Sequence, residues 1–225
     1  MRRVVFDFDG TIAAGDAVGS WIYYRIMRSP LRFGVALLAL PVGVPLLALY
    51  PTLGASVFLW IATVGCTPAA VAKSLEVFAA RRFQRPTSLF AEALEAIAQH
   101  RAAGDYVVVA SGCEFKLLSW VGTRIGFAPD CMVGSTLQEW LFGSVAQQHC
   151  IGQRKVEMLR AQTGLEAYDH VYTDSWRDLP LMQRASSITL VNATPALAAR
   201  VRAATGVDVC VVRWGRRVAL PPTSG

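Results

Sequence analysis

VVFDFDGTI, residues 4–12, is the stretch whose reading decides the fold. Val4, Val5 and Phe6 are residue types that suit a pleated, buried strand. They run straight into Asp7 and Asp9, which are separated only by Phe8. Two acids at i and i+2 of a regular strand share one face, and Gly10 suggests a strand already turning into a loop. Crowded carboxylates repel, so one takes up a proton unless a cation offsets the charge. A hard cation with oxygen ligands, most naturally Mg²⁺, resolves the conflict and also attracts phosphate. One acid can then attack phosphorus while the other exchanges a proton with the leaving group. For these residues alone, an acidic turn after a strand is the plain alternative.

The 225 residues suffice for one generous domain or for a core domain with an insertion. Hydrophobic residues make up 53% and charged residues only 17%, with a mean hydropathy of +0.37. An ordinary globular domain has about 25% charged residues, so part of this chain has unusually little contact with water. A net charge of +6 and a pI near 9.3 favour an anionic partner: nucleic acid, a phosphorylated metabolite or anionic lipid. Cys66, Cys113, Cys131, Cys150 and Cys210 lie far apart with no CxxC pair. They read as buried thiols in a reducing compartment, not a disulfide frame or a zinc site. Only Met1, Arg2 and Arg3 precede the first strand, so no signal peptide is expected and the catalytic part is expected in the cytoplasm.

Strand-like runs at residues 4–8, 106–110, 170–173, 188–191 and 207–212 alternate with helical patterns at 87–102, 114–125, 153–163 and 195–203. Such alternation argues for an open parallel α/β sheet covered on both faces. Ligands in these sheets sit at the carboxyl ends of the strands, where Asp7, Ser111 and Asp174 all fall. Residues 132–147 read as a β-hairpin flap, and the tail LPPTSG, residues 220–225, as frayed. His100, His149 and His170 are scattered and give no metal-ligand spacing. Trp21, Trp60, Trp120 and Trp140 read as packing or interface residues.

The anomaly is residues 13–83, which contain no convincing strand. Residues 33–72 carry no formal charge and are interrupted by Pro41, Pro45, Pro51 and Pro68. Arg25, Arg28 and Arg32 flank this run on one side; Lys73, Arg81, Arg82 and Arg85 flank it on the other. A spanning helix needs roughly 20 apolar residues, and the prolines are expected to break the run. Both ends of the insertion must lie on one side of any membrane, so a helical hairpin that dips in and returns is the expected form. The arginines would then meet anionic headgroups. A water-soluble cap with an apolar core is the alternative.

DFDGT closing a first strand resembles the first motif of the haloacid dehalogenase-like (HAD) superfamily of phosphohydrolases, and three further motifs follow in order. VVVASG places Ser111 after a strand, CIGQRKVEML places Lys155 at the start of a helix, and YTDSWRDLPL supplies Asp174 and Asp178 as DxxxD. The resemblance implies a HAD-like open parallel sheet with helices on both faces and a helical apolar cap inserted after the first strand. Residues 1–14 and 84–225 would form the catalytic core, and 15–83 the cap. It further implies Asp7 as the nucleophile that becomes an aspartyl phosphate and Asp9 as general acid and base. Thr11 would steady their loop, while Ser111 and the amide of Gly112 bind the phosphoryl oxygens and Lys155 offsets charge. Mg²⁺ would be held by Asp7, Asp174 and the carbonyl of Asp9, with Asp178 supporting from behind. Asp16 lies where related phosphoserine phosphatases carry an acidic substrate-recognition residue; its own position reads equally as a helix N-cap. In SGCEF the chain departs from relatives that often have a second serine and a proline after Ser111.

RVVFDFDGT followed by Asp16, the proline-split apolar stretch, FLWIATVGCT and CIGQRKV together resemble one family, phosphatidylglycerophosphatase C. That likeness implies a Mg²⁺-dependent phosphatase of phosphatidylglycerophosphate at the bacterial inner membrane, its catalytic domain on the cytoplasmic side. Its partners would be the phospholipid substrate and an anionic membrane, with no nucleic acid and no obligate protein partner. Two other readings stay open: a phosphatase of a soluble metabolite such as phosphoserine or a sugar phosphate, and a non-catalytic membrane-binding module.

Overall fold

The computed structural model describes residues 1–220. The first strand, β1 (Arg3–Phe6), is shorter than expected and stops before Asp7, because the chain then coils tightly. The amides of Thr11, Ile12 and Ala13 all turn back to the carbonyl of Phe8. Between β1 and the next strand, β2 (Leu89–Phe90), lie four helices: α1 (Ala17–Met27), α2 (Pro30–Leu49), α3 (Pro51–Thr63) and α4 (Pro68–Phe83). Then come α5 (Ala91–Ala102), β3 (Tyr106–Glu114), α6 (Phe115–Arg124), β4 (Met132–Trp140), β5 (Gly143–Gln148) and α7 (Gly152–Thr163). The chain closes with β6 (His170–Thr173), α8 (Leu179–Met182), β7 (Ile188–Val191), α9 (Pro195–Thr205), β8 (Val209–Val212) and β9 (Arg217–Val218).

Seven strands form one sheet in the order β5-β4-β3-β1-β6-β7-β8. All neighbours are parallel except β4 and β5. The central strand β1 hydrogen-bonds on both edges, and its Val4, Val5 and Phe6 are fully buried. Its alternating side chains feed two apolar cores, one per face of the sheet. Val4 and Phe6 join Trp21, Phe83 and Leu117 on one face, and Val5 joins Leu159, Tyr168 and Val201 on the other. The expected open α/β sheet with an N-terminal helical insertion is therefore what forms. The expected helix at 87–102 begins only at Ala91, after the short strand β2. The expected flap is less free than its sequence suggested. Its first half completes the sheet beside β3, and only its second half is a hairpin with β5. Leu220 is buried rather than frayed, and the rest of the tail lies outside the described residues. Among the cysteines, Cys113 and Cys150 are buried as expected, but Cys210 is exposed.

The prolines of the insertion behave differently from their expected role as breaks. Pro30, Pro51 and Pro68 each open a helix, where a fixed φ and a missing N–H cost nothing. Pro41 and Pro45 sit inside α2, which runs on through both for 20 residues. α2 is, among the described residues, the helix long and apolar enough to cross a membrane. It turns back at Tyr50 into α3, and small residues let the two helices close: Gly43 faces Phe58, and Gly54 faces the backbone of Leu47. Arg25 and Arg32 do not reach outward as expected. Each donates to a carbonyl at the end of α3, Ala62 (3.1 Å) and Val64 (3.1 Å), and both reach Cys66 Sγ. Those carbonyls are ones a helix end leaves without partners, and two guanidinium groups fill that need.

α3 is fastened in turn to β5 and its turn. Ser144 N donates to Thr63 Oγ1 (2.8 Å), Ala146 N to Ser56 Oγ (3.3 Å), and Trp60 Nε1 to the carbonyl of Leu141 (3.1 Å). The seam between α2 and α3 has room for no side chain at residue 54. Gly54→Val should therefore lower stability in denaturant unfolding by about 1–3 kcal/mol. Gly34→Val, with nothing within 4 Å of its would-be Cβ, should change it far less.

Candidate active site

Four chain segments bring their polar residues to the carboxyl edge of the sheet: the loop after β1, the end of β3, the first turn of α7 and the loop after β6. Asp7 stands at the first, its amide bonded to the carbonyl of Tyr172 (2.9 Å). Lys155, on α7, donates from Nζ to Asp7 Oδ1 (2.8 Å) and also pairs with Asp178 Oδ1 (2.7 Å). All three side chains are buried. Burial pulls the Lys155 pKa down, but Asp178 and Asp7 together outweigh it and leave the ammonium more firmly protonated than usual. Burial raises the Asp7 pKa, with Lys155 opposing. Thr173 Oγ1 donates to the other oxygen of Asp178 (2.7 Å), which fixes that carboxylate beneath the lysine.

Asp9 points away from Asp7, toward the insertion. Its Oδ1 accepts from the amide of Ala17 (2.7 Å) and its Oδ2 from Ser111 Oγ (3.3 Å). Burial, with Asp16 nearby, pushes its pKa up to about 7, where a carboxyl group can both give and accept a proton near neutrality. Ser111 Oγ also accepts from the amide of Cys113 (3.0 Å), which holds it at the irregular end of β3. Asp174 lies against Gly10, in the place a Cβ there would occupy, and Gly10 has φ +77°. Glycine is thus required twice over at that position. Burial, then Asp178, pushes the Asp174 pKa up to about 6, and among the described residues no basic side chain pairs with it.

Asp7, Asp9, Gly10, Asp16, Ser111, Gly112, Lys155, Asp174 and Asp178 all line one cavity of about 640 Å³. The expected residues are therefore brought together, with one exception. Thr11 is fully buried, and its Oγ1 has no partner among the described residues. Asp16 takes both readings at once: it lines the cavity and caps α1, accepting from the amide of Gly19 (2.8 Å). No three His, Cys, Asp or Glu side chains converge as a ready metal cluster among the described residues. The side chain of Asp9 is turned elsewhere, so a cation here would have Asp7, Asp174 and backbone oxygen.

Sequence reasoning missed His149 and Arg177, which also line the cavity. His149 Nδ1 lies 3.1 Å from Thr52 Oγ1 at the start of α3, so the insertion touches the core at the cavity itself. Burial, then Arg177, lowers the His149 pKa. No spacing marked this residue, because its partner is 97 positions away. The remainder of the cavity is apolar: Ile22, Ile26, Phe33, Leu37, Leu40 and Phe58 continue it between α1, α2 and α3.

The family model of haloacid dehalogenase-like hydrolases matches residues 4–183, and the chain belongs to that family. A probable phosphatase of Mycobacterium tuberculosis is 25% identical over 108 residues, 46% of this chain and 38% of that protein. The match thus spans well under half the length of that relative. A Bordetella pertussis protein of unknown function has a TM-score of 0.68 at 20% identity, covering 93% of this chain and 97% of its own. A phosphoserine phosphatase, solved as a phospho-aspartyl intermediate analogue, has a TM-score of 0.60 at 14% identity over 97% of this chain and 95% of its own. Likeness at these identities is likeness of fold.

The buried Asp7–Lys155–Asp178 arrangement yields a stability prediction. Lys155→Met leaves two buried carboxylates without their cation and should destabilise by about 3–5 kcal/mol. Adding Asp178→Asn should restore part of that loss in denaturant unfolding. A double variant no more stable than the single one would mean that the lysine does not work through this carboxylate.

Proposed function

We propose that this chain is a phosphoric monoester hydrolase in which Asp7 takes the phosphoryl group from substrate. The observation that carries the reading is the placement of Asp7. It lies at the polar end of the cavity, with one oxygen held by Lys155, which leaves the other for phosphorus. Transferring a phosphoryl group needs alignment and charge stabilisation on its oxygens. Lys155 supplies a fixed positive charge, and Ser111 and the amide of Gly112 are the donors for those oxygens. Asp9 protonates the leaving oxygen and then deprotonates the water that releases phosphate. Such a complete set argues against a non-catalytic module.

Mg²⁺ fits the residues present. Among the described residues no basic side chain makes an ion pair with Asp174, and the missing Cβ of Gly10 lets its carboxylate approach the Asp7–Asp9 loop. Bound there by Asp7, Asp174 and the carbonyl of Asp9, the ion would neutralise phosphate charge; Asp178 holds the lysine from behind.

The relatives support a soluble ester such as phosphoserine better than a lipid, since phosphoserine phosphatases share the fold. The apolar arm of the cavity favours a second reading, an ester with a long apolar group such as phosphatidylglycerophosphate. A phosphoserine has two further charges, which Asp16 and Arg177 at the polar end could meet, but it would leave the arm between α1, α2 and α3 unfilled. With the lipid reading goes attachment to the cytoplasmic side of a bacterial inner membrane through α2.

Asp7→Asn should abolish turnover of p-nitrophenyl phosphate, and excess EDTA should do the same. Asp9→Asn should slow turnover and let phosphoenzyme accumulate. Full activity in Asp7→Asn would end the mechanism. Substrate is decided by assaying phosphoserine, sugar phosphates and detergent-dispersed phosphatidylglycerophosphate side by side. If the apolar arm holds a chain, Leu37→Ser with Leu40→Ser should depress lipid turnover far more than p-nitrophenyl phosphate turnover. Equal loss on both would leave the soluble ester as the reading.

A further inference from the structure

We propose that α2 lies flat on an anionic lipid surface, its outer face down, and does not enter the bilayer end-on. The inference rests on the membrane attachment proposed above and sets its geometry. The helix presents three faces. Ala36 and Gly43 form a buried seam toward α3, and Phe33, Leu37, Leu40 and Leu47 look into the cavity. Leu31, Val35, Leu38, Val42 and Leu49 make the third face, exposed along the whole length; Leu38 is 82% and Leu49 73% exposed. At 1.5 Å per residue this strip is about 30 Å long, and no charge falls in it from residue 33 onward.

Three observations favour a flat arrangement over an end-on one. First, α3 is fastened along β5 by Thr63, Ser56 and Trp60, and α2 packs antiparallel on α3. An upright α2 would carry the exposed Gln147, and His149 beside Thr52 at the tip of the α2–α3 hairpin, toward the depth of its far end, where charge and unpaired polar groups are costly. Second, Pro41 and Pro45 remove the donors that the carbonyls of Leu37 and Pro41 would take from the next turn. Hydrocarbon offers no substitute, whereas water and headgroups at the interface do. Third, Arg28 is exposed beside the start of α2, held over the ring of Tyr24, where it can meet an anionic headgroup. Such a helix is held by its apolar face at the headgroup boundary, as interfacial helices are. The cavity then opens beside the lipid surface, with its apolar arm directly above α2.

The test is a depth profile of the full chain on vesicles of phosphatidylcholine and phosphatidylglycerol. Leu31, Leu38, Leu49 and Leu53 are replaced one at a time by Cys and labelled with an environment-sensitive fluorophore, in a background with Cys66, Cys131 and Cys210 changed to Ala. Quenching by lipids spin-labelled at set depths should place positions 31, 38 and 49 at one shallow level. Depth that increases steadily toward 49 and 53 would overturn the proposal in favour of a hairpin dipping in. Hydrogen exchange on the unaltered chain keeps the question open to failure if the substituted background misfolds. Vesicles should protect residues 30–49 throughout. Protection without vesicles, together with a dimeric mass, would give the face to a second copy and overturn the proposal. No contact with vesicles in either measurement would overturn it along with membrane attachment. Turnover of p-nitrophenyl phosphate, measured on the same samples, reports the chemistry independently.

Discussion

Everything at the catalytic edge depends on one buried ammonium. Lys155 Nζ stands between Asp7 and Asp178 at hydrogen-bonding distance from each. Two carboxylates in a low-dielectric interior are driven toward protonation, and at Asp7 the lysine opposes the burial that raises its pKa. The lysine is delivered by the first turn of α7, whose entry is set by Gly152 at φ +54°. Asp178 is in turn held by Thr173 at the end of β6. The candidate site therefore rests on the mutual placement of β1 and β6, which are neighbours in the sheet, and of α7 packed beside them.

Much of this was legible in the sequence because it is local. A strand of buried residue types that stops on acids, a serine after a strand, and a lysine opening a helix are each visible within ten residues. Their order along the chain then determined which strand ends meet. What stayed hidden was what depends on distant packing. His149 becomes part of the cavity only because α3 brings Thr52 beside it. Arg25 and Arg32 looked like surface cations, yet they serve the carbonyls at the end of α3. Pro41 and Pro45 looked like breaks in the chain. They are tolerated because α2 gains its order from the seam with α3 rather than from an unbroken ladder of its own hydrogen bonds.

The same seam explains how so apolar a segment coexists with an ordinary core. Small residues at 36, 43 and 54 bring α2 and α3 to close contact, the packing that helices use when apolar burial alone does not drive association. The hairpin thus keeps its shape without enclosing its leucines, and they are left free to line a cavity on one side and face outward on the other.

The insertion leaves and rejoins the core through a narrow neck. Ala13 bridges Leu89, Ala14 donates to the carbonyl of Ser88, and Phe90 donates to that of Ile12. Its two ends are therefore clasped side by side, like the feet of a hairpin. Closing a loop costs entropy that grows only slowly with its length, and here the closure is made by the neck itself. Beyond the neck the four helices are tied to the sheet unevenly: α1 and α4 through Trp21 and Phe83 in the core beneath β1, and α3 through β5. α2, which packs mainly on α1 and α3, is the part that can change with least effect on the strands, so a hydrolytic core can be given a new surface to work on while its carboxyl edge stays as it is.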